Sequence, residues 1–198
     1  PDFDIIKKFT GYLRPGNYEI FRDSLAAKGM LARNKDFAYA SGRYQLECYK
    51  EEIEANLRTP GLDGFQLLDL HDYLGQGTAL VGLLDAFWEE KGYATGAEFR
   101  RFNSETVPLA RLPKRIFIAD EVFSADIELA HFGDKPIANA RPYWRIVDAA
   151  GNIAAFGDLT ERTIGIGKNF SLGKVNLDSS LLFVKSKTLA PTQFKLVV

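Results

Sequence analysis

Two hydrophobic periods divide this chain. Up to about Thr106 apolar residues return at helical spacing, whereas from Arg115 onward glycine, valine, isoleucine and turn signals dominate and helical spacing disappears. A strand exposes alternate residues and a helix every third or fourth, so one pattern cannot serve as the other. The expected fold class is therefore α+β in two parts: residues 1–106, mostly helical, and residues 107–198, antiparallel β.

Within the first part, Asp4–Phe9 reads as a short amphipathic turn closed by Gly11. Pro15-Gly16-Asn17 is a break, with Asn17 placed to cap a helix over Tyr18–Lys28 and Gly29 just past its end. A longer helix is expected over Asn34–Arg58, where Tyr49, Ile53 and Leu57 form one apolar stripe and Ser41-Gly42 marks a bend or split. The charges Lys50, Glu51, Glu52, Glu54 and Arg58 fall mostly off that stripe, as on a solvated face. A loop at Thr59–Gly64 leads to an apolar run of strand length, Phe65–Leu70. It breaks into Asp69, His71, Asp72 and Tyr73, then into the glycine loop Gly75-Gln76-Gly77-Thr78. Two readings stand: the rim of an active site in an α/β barrel, or a buried strand followed by a solvated polar turn. Ala79–Leu84 is apolar on every side and is expected to be buried against the strand end. Thr95-x-x-Glu98 has capping-box spacing and predicts a short helix over Ala97–Phe102.

In the second part the expected strands are Arg115–Ile118, Phe123–Phe132, Ala140–Val147, Ile153–Leu159, Phe170–Leu177, Leu182–Lys187 and Thr192–Val198. Gly133–Pro136 and Asp148–Asn152 read as hairpin-like turns. Short strands at this spacing suit an antiparallel β-sandwich of about ninety residues, with Trp144 in the core between the sheets and His131 structural. Val107–Pro113, with two prolines, reads as a stiff, packed linker.

Composition excludes several functions. The 198 residues carry 25 basic and 26 acidic side chains, a net charge of −1, so no basic excess exists to neutralise nucleic acid. The one cysteine, Cys48, rules out an internal disulfide and a cysteine metal cluster, and reads as a buried, inert thiol. With two histidines, and an Asp69-x-His71 pair lacking a third ligand, no metal and no cofactor are expected. No apolar run approaches the ~20 residues of a membrane span. The chain opens at Pro1 without a methionine, as an excised piece of something longer would, so its start says nothing of localisation.

Gly64–Trp88, G-F-Q-L-L-D-L-H-D-Y-L-G-Q-G-T-A-L-V-G-L-L-D-A-F-W, follows E-C-Y-K-E-E-I-E-A-N-L-R-T-P (Glu47–Pro60) and precedes the β region. Together they resemble the C-terminal part of bacterial glycoside hydrolase family 2-type, β-galactosidase-like multidomain enzymes, most specifically over Lys50–Trp88. The resemblance implies that Gly64–Tyr73 is the last strand of a (β/α) barrel, that Asn34–Arg58 is the helix before it, and that the β region is an immunoglobulin-like accessory domain. It also implies a retaining reaction by two carboxylates ~5 Å apart, at the ends of the fourth and seventh strands. Both would precede Pro1, leaving this chain alone inactive. Asp69, His71, Asp72, Tyr73 and Gln76 would then be substrate-binding rim residues for a carbohydrate, and the remainder of the parent barrel a partner. Periplasmic or secreted localisation is implied the same way. Val198, in mid-strand character, would leave an edge unpaired or joined by a strand from another chain. The alternative is a non-catalytic carbohydrate-binding or interaction module. An exposed row of Tyr143, Phe156 and Phe170 on one sheet would favour it.

Overall fold

The long helix forms over the expected residues: α2 spans Asn34–Arg58. It belongs to a computed structural model that describes residues 2–77, 79–180, 182 and 191–198. The buried face of α2 carries Gly42, Leu46 and Ile53, separated by four and seven residues, as an amphipathic stripe requires. Cys48 lies two residues past Leu46, about 200° around the helix, and is exposed, not buried as expected. The helix is not split at Ser41-Gly42. Gly42 instead lets the ring of Tyr93 lie on the helix backbone: a Cβ there would meet three Tyr93 ring carbons at 2.4–2.5 Å.

The chain divides into two compact units, Pro1–Ile53 with Asp63–Phe102, and Glu54–Leu62 with Asn103–Val198. The first unit opens with a 3-10 turn over Phe3–Lys8, followed by α1 (Gly16–Ala27), which ends before Gly29 at φ +67. Pro15, not Asn17, occupies the cap position. Asn17 sits inside the first turn, where its Oδ1 accepts from the Tyr18 amide at 3.0 Å. A 3-10 turn at Leu31–Arg33 leads into α2, and α3 (Gly96–Arg100) closes the unit. The capping box at Thr95 and Glu98 is made in both directions. Arg43 of α2 reinforces it, donating from Nη1 to Glu98 Oε1 and to the Tyr93 carbonyl, each at 2.9 Å.

No strand forms over Phe65–Leu70, and the described residues close no barrel. A strand is held by its neighbours. Here the ladder is reduced to isolated bridges, His71 with Leu84 in parallel and Leu84 with Glu90 antiparallel. Asp69, at φ +59, takes the backbone out of the extended region just before the first bridge. Ala79, Gly82 and Leu83 are buried as expected, while Val81 is exposed.

Among its described residues the second unit contains three small antiparallel sheets, none closed. The first has the order β1 (Thr106–Arg111), β2 (Val122–His131), β7 (Gly167–Asp178); β3 (Ile137–Ala140) pairs with β6 (Arg162–Ile164); the third has the order β5 (Ile153–Asp158), β4 (Tyr143–Val147), β8 (Lys195–Val197). Ala125, Ile127 and Leu129 alternate along β2 and bury one face against Leu172, Val175 and Ile164. Trp144 packs, half-buried, against both this cluster and the one around Ile146, Ala154 and Ala155. Its indole lies over Gly157, its cross-strand partner. The opposite face of the first sheet buries Val107, Leu109 and Ala130 against Leu57 in the last turn of α2.

Most of the segment expected to be a linker therefore belongs to a strand, β1, which ends at Arg111. Pro108 belongs to β1, an edge strand, where a missing N–H donor is tolerated, and the flanking Val107 and Leu109 are buried. The expected strand Arg115–Ile118 is a loop instead. Ile116 and Ile118 are exposed, and Glu121 holds the loop by accepting from the Ile118 amide at 2.9 Å and from Lys114. Gly133–Pro136 does not make a hairpin, since β2 and β3 lie in different sheets, whereas Asp148–Asn152 does join β4 to β5. There the Asp148 carboxylate accepts from the amides of Ala150 and Asn152, both at 2.9 Å, and Gly151 supplies φ +86. Leu182–Lys187 lies outside the described residues except for Leu182, which is buried with Ile146. Among the described residues β8 is an edge, paired to β4 on one side.

At the irregularity between its pairings at Gly167 and Phe170, β7 turns polar side chains onto the end of α2. Asn169, at φ +62, donates from Nδ2 to the Arg58 carbonyl at 3.0 Å. Lys168 donates to the carbonyls of Asn56, at 3.4 Å, and Leu62, and Arg111 reaches the Arg58 carbonyl as well. Cationic donors at a helix C-terminus satisfy orphan carbonyls and oppose the negative end of the helix dipole.

Gly42→Ala separates two opposing effects. Helix propensity alone would stabilise the variant by about 1 kcal/mol. The collision with the base of the Tyr93 ring should outweigh it and destabilise by about 1–3 kcal/mol net, read as a lower midpoint in urea unfolding.

Candidate functional site

The site is built on the segment from His71 to Lys91, all within the first unit, and its foundation is a buried carboxylate. Asp72 is fully enclosed and both of its oxygens are engaged. Oδ2 accepts from the Tyr18 hydroxyl at 2.6 Å; Oδ1 accepts from the Gly82 amide at 3.0 Å and from Lys91 Nζ at 2.5 Å. Lys91 and Tyr93 each donate in turn to the Gly82 carbonyl, at 2.7 and 2.8 Å. Gly82 can serve both because nothing separates it from the neighbouring backbone: a Cβ there would stand 2.3 Å from the His71 carbonyl carbon. Buried charges persist only when paired and hydrogen-bonded, and this one is both.

The same knot governs the two phenols. Burial, then Asp72 and Tyr49, push the Tyr93 hydroxyl up to about 12. Burial and the hydrogen bond to Asp72 move Tyr18 further in the same direction.

Above this foundation lie the residues the sequence singled out. His71 is half-buried, its Nδ1 sits 2.7 Å from the Asp72 carbonyl oxygen, and its ring meets the Trp88 indole at a centroid separation of 4.3 Å and an angle of 38°. A carbonyl only accepts, so Nδ1 carries the proton and Nε2 is left free to accept. Trp88 is 60% exposed and adopts φ +66, an unusual conformation for a bulky residue, within a turn pinned by Asp85. Asp69, the other strained residue of this segment, has no side-chain partner among the described residues. Tyr73 is exposed, with its ring folded over Gly75. Gln76 is exposed, and Thr78 lies outside the described residues. Of the five expected rim residues, Asp69, His71, Tyr73 and Gln76 reach the surface, while Asp72 lies beneath them as an anchor.

The glycine loop also borders a depression of ≈ 550 Å³ lined by Arg14, Asn17, Ile20, Phe21, Leu74 and Gly77, among others. The Asn17 Nδ2 atom is buried and finds no acceptor among the described residues. The wall carries the Arg14 guanidinium, which lies 3.6 Å from Glu19 Oε2, beside apolar surface.

Sequence reasoning missed Tyr18, Gly82, Trp88, Lys91 and Tyr93. Trp88 ended the stretch already singled out, and an exposed tryptophan there was the available signal. Nothing in the local pattern ties Lys91 or Tyr18 to Asp72. His131, expected to be structural, is buried: its Nε2 donates to the Lys135 carbonyl and Nδ1 accepts from the Thr106 hydroxyl, both at 2.8 Å. Among the described residues no group of three or more His, Cys, Asp or Glu could hold a metal ion, and no helix is long and apolar enough to cross a membrane.

Residues 121–198 match the family described as a domain of unknown function (DUF8488), less than half of the chain. No curated protein matches the chain.

Two outcomes test the buried knot. Asp72→Asn leaves the Lys91 ammonium enclosed without its counter-charge and should cost about 3–5 kcal/mol in chemical unfolding. Adding Lys91→Met should recover part of that loss. The tyrosine shifts make a second test. Each folded-state value lies above the unfolded value near 10, so the stability they contribute is intact below pH ~10 and falls as pH rises beyond it. In an ultraviolet titration, two of the eight tyrosines should ionise only together with alkaline unfolding.

Proposed function

We propose that this chain is part of a retaining glycoside hydrolase. In this reading the first unit is the closing segment of a (β/α) barrel and forms one wall of a sugar-binding cleft. The second unit is an immunoglobulin-like β-sandwich accessory domain. The observation that carries the reading is the exposed Trp88 indole in contact with the His71 ring, with the uncommitted carboxylate of Asp69 two residues before His71 in the chain. An exposed indole offers a face to the C–H side of a pyranose, and His71 Nε2 and Asp69 accept from its hydroxyls. The exposed Phe65 and Leu68 (83%), on the apolar run that leads to the parallel bridge at His71, add support: such side chains would be covered if barrel neighbours flanked the run. The substrate is an oligo- or polysaccharide. The carboxylates that cleave it are supplied by the remainder of the barrel, so the chain alone binds without turnover.

A second reading is a non-catalytic carbohydrate-binding module. It is favoured by Tyr143 and Phe156, both exposed on one sheet; Phe170, in a different sheet, packs into the core instead.

The test is hydrolysis of aryl glycosides by the intact protein that carries this chain, with the anomer of the first product followed by NMR. Retention is expected, together with a fall of about tenfold in kcat/KM for Trp88→Ala, some 1.4 kcal/mol of transition-state binding, at unchanged thermal stability. The absence of hydrolysis across gluco-, galacto-, manno- and xylo-configured substrates would remove the reading. So would an upstream sequence with no glutamate at the end of an apolar strand.

A further inference from the structure

We infer that the outer face of the β5-β4-β8 sheet is a second, separate glycan-binding surface, formed by Tyr143, Arg145, Phe156 and Asp158. On β4, Trp144 and Ile146 turn inward to the core clusters, so Tyr143 and Arg145 turn outward. The antiparallel register sets Phe156 directly opposite Arg145 and Asp158 directly opposite Tyr143. Paired residues project from the same side of a sheet, so the four side chains share one face, with Tyr143 and Phe156 at diagonal positions about 7–8 Å apart. Both rings are open to solvent, Phe156 at 76% and Tyr143 at 55%. Arg145 and Asp158 are also exposed, and neither side chain has a hydrogen-bond or ion-pair partner among the described residues.

Other charges of the unit, such as Lys135 and Lys195, are also unpaired among the described residues, so what marks this face is the conjunction of two unpaired charges with two exposed rings. Arg111, Lys114 and Arg141 are each paired to a carboxylate. Here a five-donor guanidinium and an acceptor-only carboxylate flank two aromatic faces, and all four are unengaged. A neutral polysaccharide matches that set: its pyranose C–H faces lie on rings, its hydroxyl oxygens accept from Arg145, and its hydroxyl protons go to Asp158. Size argues against a second protein copy. Two rings of 150–250 Å² each, partly covered, offer about 200–350 Å², well under the ~800 Å² per partner of a stable protein interface. The surface shares the sugar chemistry proposed for the first unit and none of its catalysis, so the two can fail independently.

The experiment is native electrophoresis of the full chain through gels containing soluble glucan, galactan or mannan, with analytical ultracentrifugation alongside. At least one polysaccharide should slow the wild type. Tyr143→Ala/Phe156→Ala should weaken that retardation roughly tenfold through loss of two stacking faces, with the melting temperature retained because both rings are exposed. Arg145→Ala and Phe156→Ser, each alone, should weaken it less and give the same answer if the double variant fails to fold. Trp88→Ala should still be retarded. No retardation in any gel, retardation unchanged by the double variant, loss in Trp88→Ala alone, or a dimer that the double variant abolishes would each overturn the inference.

Discussion

A carboxylate without solvent must find its full set of donors inside the protein, and Asp72 imposes that demand on the whole first unit. Tyr18 comes from α1, while Gly82 and Lys91 come from the segment that follows the glycine loop. Bringing them to one point fixes the path of the intervening backbone and makes Gly82 obligatory where it touches His71. Regular secondary structure contributes little here, with isolated bridges standing in for a ladder. Removing the charge would leave Lys91 stranded, so the cost of losing any one partner falls on the others. The rim inherits its geometry from this arrangement, because His71 and Tyr73 flank the buried residue in the chain.

The second unit uses a different device. Its sheets are small, and their stability rests on apolar side chains on both faces of the β1-β2-β7 sheet. The end of α2 covers one face, and one irregularity of β7 turns Lys168 and Asn169 onto carbonyls at the end of that helix. Irregularity in the strand is thus what satisfies irregularity at the helix terminus.

Much of this was legible in the residues. The helical part and the strands of β2, β4, β5 and β7 followed from periodicity, and the capping box at Thr95 from its spacing. What escaped was non-local. Phe65–Leu70 has strand composition, yet a strand exists only with neighbours, and none flanks it among the described residues. Val107–Pro113 resembled a linker because two prolines outweighed Val107 and Leu109 in the reading, and an edge position was not foreseen. Cys48 was assigned to the interior from its apolar neighbours, whereas the helical angle from Leu46 places it outside. The rim was found as a cluster in sequence, but burial of Asp72 depends on Tyr18, 54 positions away, and no local pattern encodes that pairing.

The outward position of Cys48 has a practical consequence. It is the chain's one sulfhydryl, it stands in solvent, and it lies off the face that α2 buries. A maleimide dye or spin label would therefore attach at a single known position without disturbing the interior. Under oxidising conditions that same sulfur, with no partner in its own chain, would couple one molecule covalently to another. A purified sample kept without reductant would then acquire a dimer set by redox chemistry, not by any folded interface.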